Sequence, residues 1–309
     1  MKFLKPKFWE QKKSLLAFFL LPFSFVYQTL FFIKKKLTSV NSFEIPVICV
    51  GNIYLGGTGK TPLSIFLAKE LILRKKYPAI IKKYYKNQID EQDFIKDKFN
   101  SLFLHKNRST AIKSALKKDH KLIILDDGFQ DFSIKKNLSI LCFNSDQLIG
   151  NEMTLPCGPL REKLNSINRA QIIVINGRKN VDFENKIKTV SKNIKIYYSN
   201  YNPTNIEEFK NKKVLAFAGI GNPRNFFKLL REHNINLQKE IEFPDHYEFN
   251  RSELQKIVDI SKEDNLQIIT TEKDYFRINP IFRKRVNYLP IKIKIDEDLF
   301  KKKILHSVL

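Results

Sequence analysis

Gly51-Asn-Ile-Tyr-Leu-Gly-Gly-Thr-Gly-Lys-Thr-Pro62 decides the reading of this chain. It follows a β-like run, Ile45 to Val50, and opens into helix formers from Pro62 to Lys76. In such a loop the backbone N–H groups point at phosphate oxygens, Lys60 supplies a point charge for the β- and γ-phosphates, and the Thr61 hydroxyl can ligate Mg²⁺. The pattern rests on Gly56, Gly57, Thr58, Gly59, Lys60 and Thr61; where the usual G-x-x-x-x-G-K-[ST] spacing has its first glycine, this chain has Tyr54. It predicts binding of a nucleoside triphosphate. The plainer alternative is a glycine turn that only caps a helix.

Outward from the loop, β-rich runs alternate with helical stretches: Ser101 to His105, Thr110 to Lys118 and Leu122 to Leu125, then strands at Ser139 to Phe143, Gln171 to Ile175 and Lys195 to Tyr198. The order predicts an α/β fold with a mainly parallel sheet. The polar stretch Ser199 to Lys212 reads as a linker to a smaller α/β unit, with strands at Val214 to Ala218, Gln267 to Thr271 and Asn287 to Ile295 and a helix at Arg224 to His233. The domains expected are 1–40, 41–205 and 206–309.

Ahead of both, Ser14 to Ile33 reads SLLAFFLLPFSFVYQTLFFI, without a charged side chain, and at about 1.5 Å per helical residue it approximates the ~30 Å hydrocarbon layer. Lysines flank both ends, so charge gives no orientation. Pro22 and Gln28 weaken a span, and a helix lying in one leaflet fits as well. A core helix is the remaining alternative. The length of the run and an ATP-using domain downstream argue against a cleaved signal peptide.

The 309 residues are 43% hydrophobic, enough for a buried core, and 55 basic against 32 acidic residues leave a net charge of +23. That excess suits nucleic acid, anionic lipid or a phosphorylated substrate, and part of it is a Lys-rich compositional bias. Cys49, Cys142 and Cys157 have neither metal nor disulfide spacing, which suits a reducing compartment.

Leu122-Ile-Ile-Leu-Asp-Asp127 delivers two carboxylates to the carboxyl end of a strand, where open α/β sheets bind ligands. Asp126 and Asp127 are the expected magnesium partners opposite Thr61, unless Asp-Asp-Gly is only a solvated turn. Phosphoryl transfer also needs an oriented acceptor. His246, in Phe243-Pro-Asp-His-Tyr247, and the acidic pair Asp90 and Glu91 are candidates, though spacing alone reads the first as structural and the second as solvated. Leu155-Pro-Cys-Gly-Pro-Leu-Arg-Glu162 suits a rigid connector or contacts to a phosphorylated ligand through Arg161 and Glu162. Thr271-Glu-Lys-Asp274 could serve a cleft or merely start a helix.

In this order, GNIYLGGTGKTP (Gly51 to Pro62), DDGFQ (Asp126 to Gln130), LPCGPLRE (Leu155 to Glu162), FAGIGNPRNFF (Phe217 to Phe227), FPDHY (Phe243 to Tyr247) and TTEKD (Thr270 to Asp274), behind an apolar amino-terminal helix, resemble the tetraacyldisaccharide 4'-kinases of lipid A synthesis. That family's phosphate loop also lacks the first glycine. The resemblance implies a RecA-like P-loop domain joined to a smaller α/β domain, with the active site in the cleft between them at the cytoplasmic face of the inner membrane. It implies ATP and Mg²⁺ at Lys60, Thr61, Asp126 and Asp127, and an Asp90–His246 pair acting on the 4'-hydroxyl of an acylated disaccharide 1-phosphate. Lys60 then counts among the catalytic groups, and Gln130, Arg161 and Glu162 become substrate contacts. A positioned base is typically worth about 10²–10⁴ in rate.

The chain departs from the family at Ile81-Lys-Lys-Tyr-Tyr85, where members carry an Arg-Gly-Tyr-rich segment, and at Asp131, where many have a histidine. No catalytic role is expected of Asp131. The competing readings are a membrane-tethered P-loop ATPase of another function and a basic nucleic-acid binder. No aromatic stacking platform or recognition helix supports the last, and no nucleic-acid partner is expected.

Overall fold

The computed structural model describes residues 6–86, 88–245, 247–295 and 304. The amino-terminal run forms α1 (Leu15–Phe19) and α2 (Leu21–Leu37), followed by β1 (Val47–Gly51), α3 (Lys60–Leu73), β2 (Pro78–Lys83), α4 (Ile89–Lys98), β3 (Leu102–His105) and α5 (Arg108–Leu116). Next come β4 (Leu122–Asp126), β5 (Leu138–Asn144), β6 (Ile172–Asn176), α6 (Val181–Val190) and β7 (Lys195–Pro203). The remainder is β8 (Lys213–Ala218), α7 (Pro223–Glu232), β9 (Asn236–Glu242), α8 (Arg251–Glu263), β10 (Gln267–Thr271), α9 (Glu272–Arg277), α10 (Pro280–Arg283), β11 (Asn287–Leu289) and β12 (Ile291–Ile295).

Two compact units result, one of residues 5–85, 98–201 and 293–309, the other of 1–4, 86–97 and 202–292. Most of α4, inserted between β2 and β3 in sequence, therefore packs with the later part of the chain. The larger unit is built on an eight-stranded sheet ordered β12-β7-β6-β5-β1-β4-β2-β3. β1, β4 and β5 are buried at every residue, as strands covered on both faces by helices must be, and β1 pairs in parallel with β4 on one side and β5 on the other. The register sets Val50 opposite Asp126, so the loop after β1 and the carboxylates closing β4 leave the sheet at the same edge.

The second unit has a four-stranded sheet ordered β11-β10-β8-β9, parallel throughout. β8 is followed by α7 and β9 on one side, while β10 lies on its other side; strand order reverses at β8, where open sheets leave a crevice. The expected linker at 199–212 is largely structured: β7 runs through Pro203 and a short 3₁₀ turn spans Ile206–Phe209. Polar side chains hid this strand because only Ser199 on its later half is buried.

The amino-terminal expectation needs correction. The apolar run is not one continuous helix, because Pro22 has no N–H to donate to Phe18, and the helix is interrupted at Leu20. Among the described residues no helix is long and apolar enough to cross a membrane. Nor is it a core helix. Its inward face is polar: the Ser24 hydroxyl lies 2.7 Å from Thr154 Oγ1, Gln28 Nε2 donates to the same oxygen at 2.8 Å, and Tyr27 donates to the Arg161 carbonyl at 3.0 Å. The apolar side chains point away, with Phe19 and Phe25 each 72% exposed and Phe18, Phe23 and Phe32 close behind. An apolar surface of this extent is unusual on a protein that meets only water.

Candidate active site

The phosphate loop is held by Asn52, fully buried after β1, whose Nδ2 donates to the Tyr54 carbonyl at 2.6 Å, the Gly56 carbonyl at 3.3 Å and Thr58 Oγ1 at 2.9 Å. These bonds turn the Tyr54 and Gly56 carbonyls toward Asn52. Gly59 precedes the first residue of α3 with φ 88°, a left-handed conformation costly for any side chain, and a Cβ there would meet the Tyr201 hydroxyl at 2.7 Å. Lys60 and Thr61 then begin α3, whose amino terminus adds a partial positive charge. Tyr54, at the position of the missing glycine, is buried and bridges to Leu160, so the loop leans on the 154–162 segment.

Asp126 is wholly buried at the end of β4. Its Oδ2 accepts from Lys82 Nζ at 2.7 Å and Thr61 Oγ1 at 3.2 Å, and Ser64 donates to Oδ1 at 2.9 Å. Lys82 is thus the buried counter-ion of Asp126; removing one partner of such a pair typically costs about 3–5 kcal/mol. Asp127 takes a left-handed backbone, φ 52°, and turns toward Lys60 Nζ at 3.8 Å and Arg161 Nη1 at 3.1 Å. Burial pushes this carboxyl up, but Lys60, Arg161, Lys82 and Arg108 together outweigh it and hold it well below the usual carboxylate range. It is ionised at any physiological pH. The turn is therefore not merely solvated.

Arg108 clamps the turn from behind: Nη2 donates to the carbonyls of Asp126 at 3.2 Å and Asp127 at 2.7 Å, while Nη1 pairs with Asp131 at 3.1 Å. Asp131 is thereby the ion-pair partner of Arg108. Gln130 Nε2 donates to the Asn52 carbonyl at 2.8 Å and to Glu162 Oε1 at 3.0 Å, and Arg161 reaches Gln130 Oε1 at 3.3 Å. Glu162 is also paired with Arg169, whose guanidinium stacks 4.2 Å above the Phe129 ring. Gln130, Arg161 and Glu162 thus form one network beside the phosphate loop.

Ser64, Arg108 and Arg169 drew no attention in the sequence, since each sits in an unremarkable helix or turn, and Lys82 stood out only as part of the departing segment 81–85. Only their positions opposite DDGFQ give them a role. The cysteines have none: all are buried and unpaired, and burial pushes the Cys49 thiol up to about 11.

In the second unit, Asp90 lies in the first turn of α4, and its side chain falls outside what the structure describes; His246 lies outside the described residues altogether. Glu91 is not a solvated acid, because its Oε1 pairs with Lys273 Nζ at 2.8 Å. The TTEKD segment starts a helix: Thr271 caps α9 and accepts from the Asp274 amide at 3.1 Å.

Mg²⁺ takes hard oxygen donors, with waters and phosphates completing its shell. The Thr61 hydroxyl and the Asp126 and Asp127 carboxylates are donors of that kind on the phosphate side of the sheet edge, and they fit the ion. Among the described residues no group of three or more His, Cys, Asp or Glu could hold a metal.

A parallel sheet edge that sets a glycine loop with lysine and threonine beside two carboxylates defines an α/β phosphate-binding protein. The model of one family, LpxK, tetraacyldisaccharide-1-P 4'-kinase, matches residues 16–309. A tetraacyldisaccharide 4'-kinase of Pelagibacter ubique is 39% identical over 302 residues, covering 96% of each chain, and one of Rickettsia typhi is 33% identical over 323 residues, covering 98% of each. The crystal structure of Aquifex aeolicus LpxK in complex with ATP has a TM-score of 0.72 at 24% identity, with 96% of this chain and 100% of that one aligned. The chain belongs to the tetraacyldisaccharide-1-P 4'-kinase family.

Proposed function

We propose that this chain transfers the γ-phosphoryl group of ATP to the 4'-hydroxyl of a tetraacylated glucosamine disaccharide 1-phosphate, working at the cytoplasmic face of the inner membrane. The unit of residues 5–85, 98–201 and 293–309 serves as a RecA-like P-loop domain and that of 86–97 and 202–292 as the smaller α/β domain, the expected bounds 41–205 and 206–309 missing both exchanged segments; α1 and α2 serve as a membrane-seated segment. The observation that carries this reading is the pairing at one sheet edge of Lys60 with Asp127, 3.8 Å apart, and Thr61 with Asp126, 3.2 Å apart.

The amides of Gly56, Gly57, Thr58 and Gly59 receive the phosphate oxygens, and Lys60 neutralises charge that builds up during transfer. Thr61, Asp126 and Asp127 would hold Mg²⁺, which when bound draws charge from the phosphates and orients them. Lys60 and Arg161 keep Asp127 ionised, and Arg108 holds the turn's backbone. Asp90 and His246 orient the acceptor hydroxyl and take its proton. Gln130, Arg161 and Glu162 face the substrate with a network that is already satisfied internally, so little ordering is left for the moment of binding.

The membrane part of this reading is supported by the inverted amphipathicity of α2, whose polar side chains hold it to the domain while phenylalanines face out. Lys34, Lys35 and Lys36 in its last turn suit anionic headgroups. Replacing Phe18, Phe19 and Phe25 together by serine should lower co-sedimentation with vesicles containing anionic lipid at least tenfold, at about 0.8 kcal/mol per buried CH₂ group. Unchanged sedimentation would contradict the seating. The activity itself is tested by incubating the full chain with γ-labelled ATP, Mg²⁺ and the disaccharide 1-phosphate. Label is expected in the lipid at the 4' position. Lipid-stimulated release of free phosphate without labelled lipid would instead favour an ATPase.

A further inference from the structure

We propose that Lys273 and Asp274, in the first turn of α9 directly after β10, are positioning residues that fix the start of α4, which carries Asp90, against the segment after β9, which carries His246. The inference rests on the reading of Asp90 and His246 as the groups that serve the acceptor hydroxyl. It concerns a single unit of the fold, since residues 86–97 and 202–292 pack together.

Two ties leave this turn in two directions. Lys273 reaches Glu91, the neighbour of Asp90, with Nζ 2.8 Å from Oε1, and both side chains are mostly shielded from water. The same ammonium is attracted to Asp245, the neighbour of His246. Burial lowers its proton affinity, but Glu91 above all, with Asp245 adding to it, raises it further, so Lys273 stays charged where it meets Glu91.

The second tie runs through the crevice at β8. Asp274 is wholly buried; its Oδ2 accepts from the Gly219 amide at 2.9 Å and from Thr271 Oγ1 at 2.6 Å, and its Oδ1 pairs with Arg277 at 2.8 Å. Arg277 closes the ring by donating to the Gly219 carbonyl at 2.6 Å. Both ends of Gly219 are thereby held, and Pro244 and Tyr247 lie directly on it. A Cβ at Gly219 would come within 3.2 Å of the Pro244 carbonyl oxygen and 3.2 Å of Tyr247 Cβ. The Phe243 amide is bonded to the Ala218 carbonyl at 2.8 Å, and the Phe243 and Tyr247 rings pack 4.9 Å apart. Residues on both sides of His246 are thus referenced to the strand that Asp274 fixes.

A helix cap alone would need Thr271 and the Asp274 amide. It would not need a lysine directed at α4 or a carboxylate directed at β8. Displacement of a reacting group by about 1 Å can cost roughly 100-fold in rate, so loss of either tie should show in turnover as well as in local stability.

The test compares Lys273→Met, Lys273→Arg and Asp274→Asn in the full chain, using the labelled-lipid assay and hydrogen–deuterium exchange. Lys273→Met should lower kcat roughly 100-fold with KM for ATP unchanged, and Lys273→Arg should restore most of it. Added to His246→Ala, Lys273→Met should bring little further loss, because both act through one group. Exchange should quicken at residues 89–92 and 243–247 in Lys273→Met, and at 218–220 and 243–247 in Asp274→Asn, but not at 56–61. Wild-type kcat in Lys273→Met, or unaltered exchange in both segments, would overturn the inference. A crippled His246→Ala beside a fully active Lys273→Met overturns this inference alone, whereas full turnover by His246→Ala overturns the assignment of the base and this inference with it.

Discussion

Replacing Lys60 by alanine should abolish detectable transfer of label to lipid, a loss of roughly 10³-fold or more, since a single preorganised donor to a developing oxyanion is already worth about 10²–10³ and this one is a full charge. The protein should nonetheless fold. Asp127 keeps Arg161 as a partner at 3.1 Å, so the substitution leaves no buried carboxylate unpaired, and melting temperature is expected to move by only a few degrees, with roughly 1 kcal/mol at stake. Lys60→Arg should not rescue activity, because a planar guanidinium cannot occupy the space of a compact ammonium beside Gly59 and Thr61. Label transfer and equilibrium nucleotide binding, measured on the same preparation, check both halves. Substantial turnover by Lys60→Ala would remove the phosphate loop from the mechanism.

His246→Ala should be the next most damaging change, lowering kcat by about 10²–10⁴ while leaving nucleotide binding intact, since a base contributes to the transfer step and not to holding ATP. The pH dependence separates this from a folding defect. In the wild type, kcat should fall on the acid side as the base takes up its proton, and that limb should vanish in the variant. Asp127 cannot supply the limb, because its neighbouring cations hold its carboxyl well below the usual carboxylate range. An acid limb that persists unchanged in His246→Ala would show that another group titrates.

The glycine loop and Leu122–Asp126 were legible because each joins a strongly apolar strand to residues with one mechanical use, and the structure brings them to neighbouring strands in the expected order. Strands with polar faces were not. β9 buries none of its residues fully and reads as a charged coil, Asn-Leu-Gln-Lys-Glu-Ile-Glu, because an edge strand needs only one packed face. β2 begins at Pro78 and ends in two lysines, and no strand was expected there; one of the two, Lys82, is buried against Asp126. α4 was hidden in the same way, since Asp90 and Glu91 read as a solvated acidic pair, whereas Glu91 is answered by Lys273 from far along the chain. At the amino terminus, hydropathy counted apolar residues but could not show which way they point. Ser24, Tyr27 and Gln28, which weaken a spanning helix, are the side chains that hold it to the protein.

The central claim is that the amides of residues 56–61 and the Lys60 ammonium grip a triphosphate. A crystal structure of the full chain with a nonhydrolysable ATP analogue and Mg²⁺ tests it most directly. The account predicts the terminal phosphate within hydrogen-bonding reach of Lys60 Nζ, with the ion between it and Thr61 and Asp126. A nucleotide bound elsewhere, with this loop empty and Lys60 still turned to Asp127, would contradict it.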